Sequence, residues 1–155
     1  MLTQGEFLKM LASHEVAMAD LYRLYGDALP DEKVFWSDLS RQEKMHAAIL
    51  GQLHDSLGRK AMVFREQACG EGEINNSLEF IERSTNQCMG SQITMEDALK
   101  VSRFLELGMI EQRFFQVFDQ DDDEWRSKFE ALRRHTTEHL KCITDKATTL
   151  GLAMR

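Results

Sequence analysis

Near the end of the first third of the chain runs Leu39-Ser40-Arg41-Gln42-Glu43-Lys44-Met45-His46-Ala47-Ala48-Ile49-Leu50, twelve residues with no helix breaker. A helix through it, at about 100° per residue, places Leu39, Glu43, His46, Leu50 and the following Leu53 on one face. That face is otherwise apolar, so Glu43 and His46 project where Leu or Ile is expected. Side chains three apart are neighbours on a helix, and a carboxylate with an imidazole at that spacing can hold one cation. An inward Glu-x-x-His is also the unit from which di-metal carboxylate sites in four-helix bundles are built. Such a short pattern arises by chance in many helices, so its meaning depends on whether other helices supply matching ligands.

Working outward, the flanking segments read as helices too. Upstream, Thr3 and Glu6 have the spacing of a capping box, and the helix they open runs to about Ala28, before Leu29-Pro30. Its inward face carries Leu8, Leu11, Glu15, Met18, Tyr22 and, towards one edge, Tyr25, with Glu15 again interrupting an apolar stripe. The helix bearing the opening stretch starts near Asp31 and ends at Gly58. Residues 59–93, with Gly70, Gly72, Asn75-Asn76 and Gly90, read as a long crossover in which only Ser77 to Arg83 looks helical. Thr94 and Asp97 cap a third long helix reaching about Phe118, with Phe104, Glu111, Phe115 and Phe118 on its apolar centre and Glu106 on the opposite side. After the acidic run 119–124, a fourth helix aligns Trp125, Phe129, Leu132, Thr136, His139, Ile143 and Leu150, and stops at Gly151. His14 and His54 read as exposed, and His135 as intermediate.

The expected architecture is therefore all-α, one domain over residues 1–155. It consists of two antiparallel helix hairpins joined by a long crossover, a four-helix bundle. A chain of 155 residues can bury a core of that size. The net charge of -7 disfavours nucleic acid and anionic membrane surfaces as partners. Neither a signal-peptide pattern nor a membrane-length apolar run is present in the sequence, and a cytoplasmic location is expected. Cys69, Cys88 and Cys142 form no Cys-x-x-Cys, which points to free thiols rather than a disulfide framework or thiolate metal knuckle. Phosphate-cradling glycine loops and a Ser/His/Asp arrangement in a strand-turn-helix context are also missing.

The two halves repeat. Leu39, Arg41, His46 and Leu50 align without a gap on Leu132, Arg134, His139 and Ile143. Carried through the preceding turn, the same offset sets Tyr22 against Phe115, Thr136 against Glu43 and Gly108 against Glu15, with Glu111 one turn beyond Gly108.

On Glu15, Glu43, His46, Glu111 and His139 the chain resembles the rubrerythrin branch of the ferritin-like superfamily. The resemblance covers all four long helices but is carried by few residues. In that family each hairpin supplies a Glu from its first helix and a Glu-x-x-His from its second. A further Glu lies one turn along the third helix, where Glu111 falls. The resemblance thus implies a ferritin-like bundle with Glu15, Glu43, His46, Glu111 and His139 as metal ligands. It also implies a di-iron centre reducing peroxide or oxygen, and an external electron-donor protein because no rubredoxin-type Cys-x-x-Cys is present. Thr136 and Gly108 depart from the pattern and leave the second half-site degenerate.

Burial of three carboxyls without nearby Lys or Arg calls for a cation or for protonation, since each uncompensated charge costs several kcal/mol. Fe suits the O/N donors, in a di-iron or mononuclear centre, and Mn or Zn suits them as well. Two readings follow: a metalloprotein centred on those five residues, or a metal-depleted bundle acting through its surface as a homodimer or regulatory partner. The Met and Phe stripes (Met18, Met45, Met109, Phe104) are expected to be core packing, and Tyr22 and Tyr25 to line the interior near the site.

Overall fold

The computed structural model of the chain describes residues 3–57, 70–111 and 122–154, apart from the side chain of Glu111. Helices account for nearly all of them, with no strand among the described residues. Helix α1 spans Gln4–Ala28, α2 Lys33–Asp55, α3 Glu71–Gly90, α4 Met95–Glu111 and α5 Asp123–Thr149.

The ends of these helices follow from local chemistry. Glu6 donates its N–H to Thr3 Oγ1 (3.2 Å) while Thr3 N–H donates to Glu6 Oε2 (2.7 Å), so two otherwise orphaned donors are satisfied reciprocally. Pro30 stops α1 and opens a single 3-10 turn, Pro30–Glu32, so α2 begins at Lys33, two residues after the expected start. Asp122 caps α5 by accepting from Trp125 N–H at 3.1 Å. At its other end Gly151 adopts φ +67°, and Leu152 N–H reaches back to Ala147 O (2.9 Å), a Schellman closure that favours glycine. α2 ends at Asp55, three residues before the expected Gly58, while the expected end at Phe118 and the positions of Cys69 and Phe115 lie outside the described residues.

The largest correction concerns the crossover. In place of a short helical piece at 77–83, α3 is a 20-residue helix. Gly72 and Asn75-Asn76 cost helix propensity, but they lie on its outer side. Ile74, Leu78 and Ile81 keep an i, i+4, i+7 stripe on the side of α3 that packs along α1. Packing gain along that stripe overrides the weak local preference. The start of α3 is held by Gly70 N–H donating to Glu73 Oε2 at 3.0 Å, with Glu71 and Glu73 facing the positive end of the dipole.

α1 packs along α2 on one side and α3 on another, α4 packs along α5, and α2 meets α5. The α1–α2 approach is close: a Cβ on Gly26 would sit 3.3 Å from Trp36 Cβ, and Ser40 Oγ donates to Ala19 O (2.7 Å) across the pair. Because α3 covers α1, His14 is fully buried rather than exposed, and its Nε2 lies 2.7 Å from Ser77 Oγ. Three residues expected inside are outside: Phe104 is 61% exposed, although its ring meets Phe80 at 4.7 Å, Met45 is 54% exposed, and Leu150, the C-cap of α5, is 41% exposed. Met18 and Met109 are buried as expected. No helix among the described residues is long and apolar enough to cross a membrane, and Cys88 and Cys142 are free thiols.

Candidate metal centre

Four helices each bring polar side chains into one interior. Glu15 comes from α1, Glu43 and His46 from α2, Glu106 from α4 and His139 from α5, and each is at most 1% exposed. Glu43 is at the middle. Its Oε2 accepts from His46 Nδ1 at 3.0 Å and its Oε1 from His139 Nδ1 at 2.9 Å. Each imidazole also faces a second acid: His46 Nδ1 is 3.8 Å from Glu15 Oε2, and His139 Nδ1 is 3.4 Å from Glu106 Oε1. Glu43, His46 and His139 alone offer three ligand atoms close enough for one ion.

The far sides of both rings fix their orientation. His139 Nε2–H donates to Gln42 Oε1 at 2.6 Å, and His46 Nε2 lies 3.2 Å from His135 Nδ1. The His46 ring stacks between His139 (centroids 5.2 Å apart) and His135 (5.3 Å). Both Nδ1 atoms are thereby aimed at the carboxylates, the arrangement that outer partners of metal-bound imidazoles impose. Tyr22 OH donates to Glu106 Oε1 at 2.8 Å, and its ring packs on Trp36, which also meets Tyr25 edge-on at 5.0 Å.

The protonation pattern follows from burial and proximity. Burial, reinforced by the charge of Glu43, pushes the Glu15 carboxyl up to about 8, so it keeps its proton at neutral pH. Burial alone would strip the proton from His46 and His139, but the carboxylates beside them outweigh it. His46 is held up at about 9 by Glu15 and Glu43, and His139 at about 10 by Glu106 and Glu43. Burial, then the nearby Glu106 charge, raises the Tyr22 phenol well above its usual range, so it remains a donor. Burial lowers His135, with the neighbouring His46 adding to the effect. Without a metal, then, protons supply the positive charge: both nitrogens of each inner ring are protonated, and Glu15 is neutral.

Three of the five expected ligands, Glu43, His46 and His139, converge directly, and Glu15 stands beside His46. Glu111 is the last described residue of α4, and its side chain lies outside the described residues. The residue that sequence reasoning missed is Glu106, assigned to the outer side but fully buried. The error came from centring the α4 face on the phenylalanines. The buried face of α4 is built instead from Ala98, Leu99, Ser102, Leu105, Glu106 and Met109. A signal was present: these residues keep the helical 3–4 spacing with smaller side chains. The ungapped alignment also hid it, because Glu106 lies two residues before Gly108, the position paired with Glu15. Gly108 is not at the site, and a Cβ added there would meet nothing within 4 Å. Thr136 is buried, as the place that the repeat assigns it requires, but its hydroxyl donates to Leu132 O (2.9 Å) within its own helix.

The donor set suits a hard-to-borderline divalent cation: three carboxyls, two imidazole nitrogens and no thiolate. Both oxygens of Glu15 and Oε2 of Glu106 are buried with no hydrogen-bond partner among the described residues, the condition a bound cation would relieve. No family model, curated protein or solved structure matches the chain.

Proposed function

We propose that the chain is a ferritin-like, rubrerythrin-related non-haem metal protein whose centre is formed by Glu15, Glu43, His46, Glu106 and His139. The observation that supports this most is the division of Glu43, one oxygen to each imidazole, with a further acid beside each ring. That gives two matching half-sites, Glu15–His46 and Glu106–His139, with Glu43 bridging them. Iron is the first choice for these donors, with Mn or Zn as competitors.

Bound iron would supply one-electron chemistry towards peroxide or oxygen, with reducing equivalents from a separate donor protein. The chain's own part is to bind and orient. Gln42 and His135 hold the two rings with Nδ1 inward, and the Trp36, Tyr22 and Leu132 packing keeps the interior dry. Tyr22 keeps its phenolic proton on Glu106, so the acid stays oriented towards His139.

A second reading has its own support. The metal-free cluster balances much of its charge with protons, and Thr136 leaves the second Glu-x-x-His incomplete. On that reading the chain is a metal-depleted bundle acting through its surface, as a homodimer or regulatory partner. Metal analysis separates the two. One or two Fe(II) per chain bound after anaerobic addition supports the metalloprotein, whereas less than about a tenth of an ion per chain overturns it, since such donor sets normally take up these ions.

A further inference from the structure

A groove of about 200 Å³ opens between α2 and α5, lined by Gln42, Met45, His46, Ile49, His135 and Glu138. Five of these are partly or fully exposed, and His46 is the one buried residue among them. The groove therefore runs from solvent to the outer edge of an imidazole whose inner edge belongs to the metal centre. His135 and Glu138 stand three apart on α5, on the wall of this groove, and helix geometry makes such a pair neighbours. They offer one imidazole and one carboxylate, the same pair of donors that α2 presents inside through Glu43 and His46. His135 Nδ1 is already 3.2 Å from His46 Nε2, so a cation at the groove is one ring away from the interior.

We infer that this groove is the port through which divalent metal reaches the centre, with His135 and Glu138 as its outer landing ligands. A port is needed because the five inner residues are sealed from solvent, and a hydrated cation crosses apolar packing only at high cost. Met45 and Ile49 give the groove apolar flanks that leave the cation few partners besides these two. Glu138 is paired at 3.9 Å with the exposed Arg134, a contact that solvent screens, so its carboxylate can exchange that partner for an incoming ion, and three carboxyls lie further in. The inference rests on the metal centre proposed above.

The test is the rate of loading, followed by stopped-flow absorbance with Co(II) and by anaerobic Fe(II) uptake, together with final occupancy by metal analysis. Glu138→Lys should slow loading about tenfold at low ionic strength, with the difference shrinking in salt, because a reversed charge at a mouth acts on association. His135→Asn retains a side-chain acceptor beside His46 Nε2 while removing the imidazole, and should slow loading severalfold. Glu138→Lys should reach wild-type occupancy, while His135→Asn, at a residue that also orients His46, is judged by its loading rate normalised to its own final occupancy. Loading at the wild-type rate in both overturns the port, and so does full-rate loading with reduced final occupancy, which marks these residues as supports of the inner rings only. A wild-type chain that binds neither Co(II) nor Fe(II) overturns the metal centre itself, and the port with it.

Discussion

Glu15 and Glu106 hold equivalent places on either side of Glu43, one 3.8 Å from His46 Nδ1 and the other 3.4 Å from His139 Nδ1. They come from helices in different halves of the chain, and neither forms an ion pair with Lys or Arg among the described residues. This equivalence makes the buried acid–imidazole cluster two-sided rather than a single Glu-x-x-His. Glu106→Gln should therefore weaken metal binding at least tenfold, about 1.4 kcal/mol, by competition titration with a chelating dye. The amide oxygen of the substituted side chain can still accept from Tyr22, so the metal-free fold should survive. Unchanged affinity would remove Glu106 from the ligand set.

Glu43 accepts from both rings, so its charge is the shared counterion of His46 and His139. Replacement by Gln leaves two buried imidazolium groups short of an acceptor. Breaking a buried pair in this way costs roughly 3–5 kcal/mol, to be read from urea denaturation of metal-free protein at pH 7. A carboxyl that was merely buried would give a neutral or stabilised variant instead, and that result would contradict the pairing described here.

Thr136→Glu restores the acid that the repeat pattern lacks. The new side chain has no buried partner in the metal-free protein, so thermal stability there should fall. With metal added, the rise in melting temperature should exceed that of the wild type, because a ligand that binds only the folded state stabilises more as its affinity increases. An equal rise in both proteins would mean that position 136 does not face the metals.

The pH dependence of the metal-free protein has a definite sign. Glu15 is raised from 4.5 to about 8, so folding favours its protonated form, and the stability it adds at low pH is lost as pH climbs through that interval. His46 and His139, raised from 6.5 to about 9 and about 10, add stability that is complete below pH 6.5 and lost towards pH 10. All three act together, and melting temperature should decline between about pH 5 and pH 10. Metal must displace these protons, so the increment produced by added metal should grow over the same range, with proton release measurable by calorimetry in buffers of different ionisation enthalpy. A metal-free stability that rises from pH 7 to pH 10 would show that the rings are not held charged.

The sequence by itself determined the helical class and most helix limits, because capping residues, Pro30 and Gly151 act locally and apolar stripes of period 3.6 survive without knowledge of neighbours. The inward, buried placement of Glu15, Glu43, His46 and His139 was legible too, since each interrupts a stripe whose direction was unambiguous. Only the tertiary structure decided three things. α3 is a full helix because burial of Ile74 and Ile81 outweighs the poor propensity of Gly72 and the asparagines beside them. His14 is interior because α3 lies over it. Glu106 is buried beside His139 because the face of α4 that turns inward is set by packing against its neighbours, while Phe104, the larger hydrophobe, remains mostly in solvent. Rotation of a helix about its axis is fixed by long-range contacts, and an alignment carried across a turn of uncertain length cannot supply it.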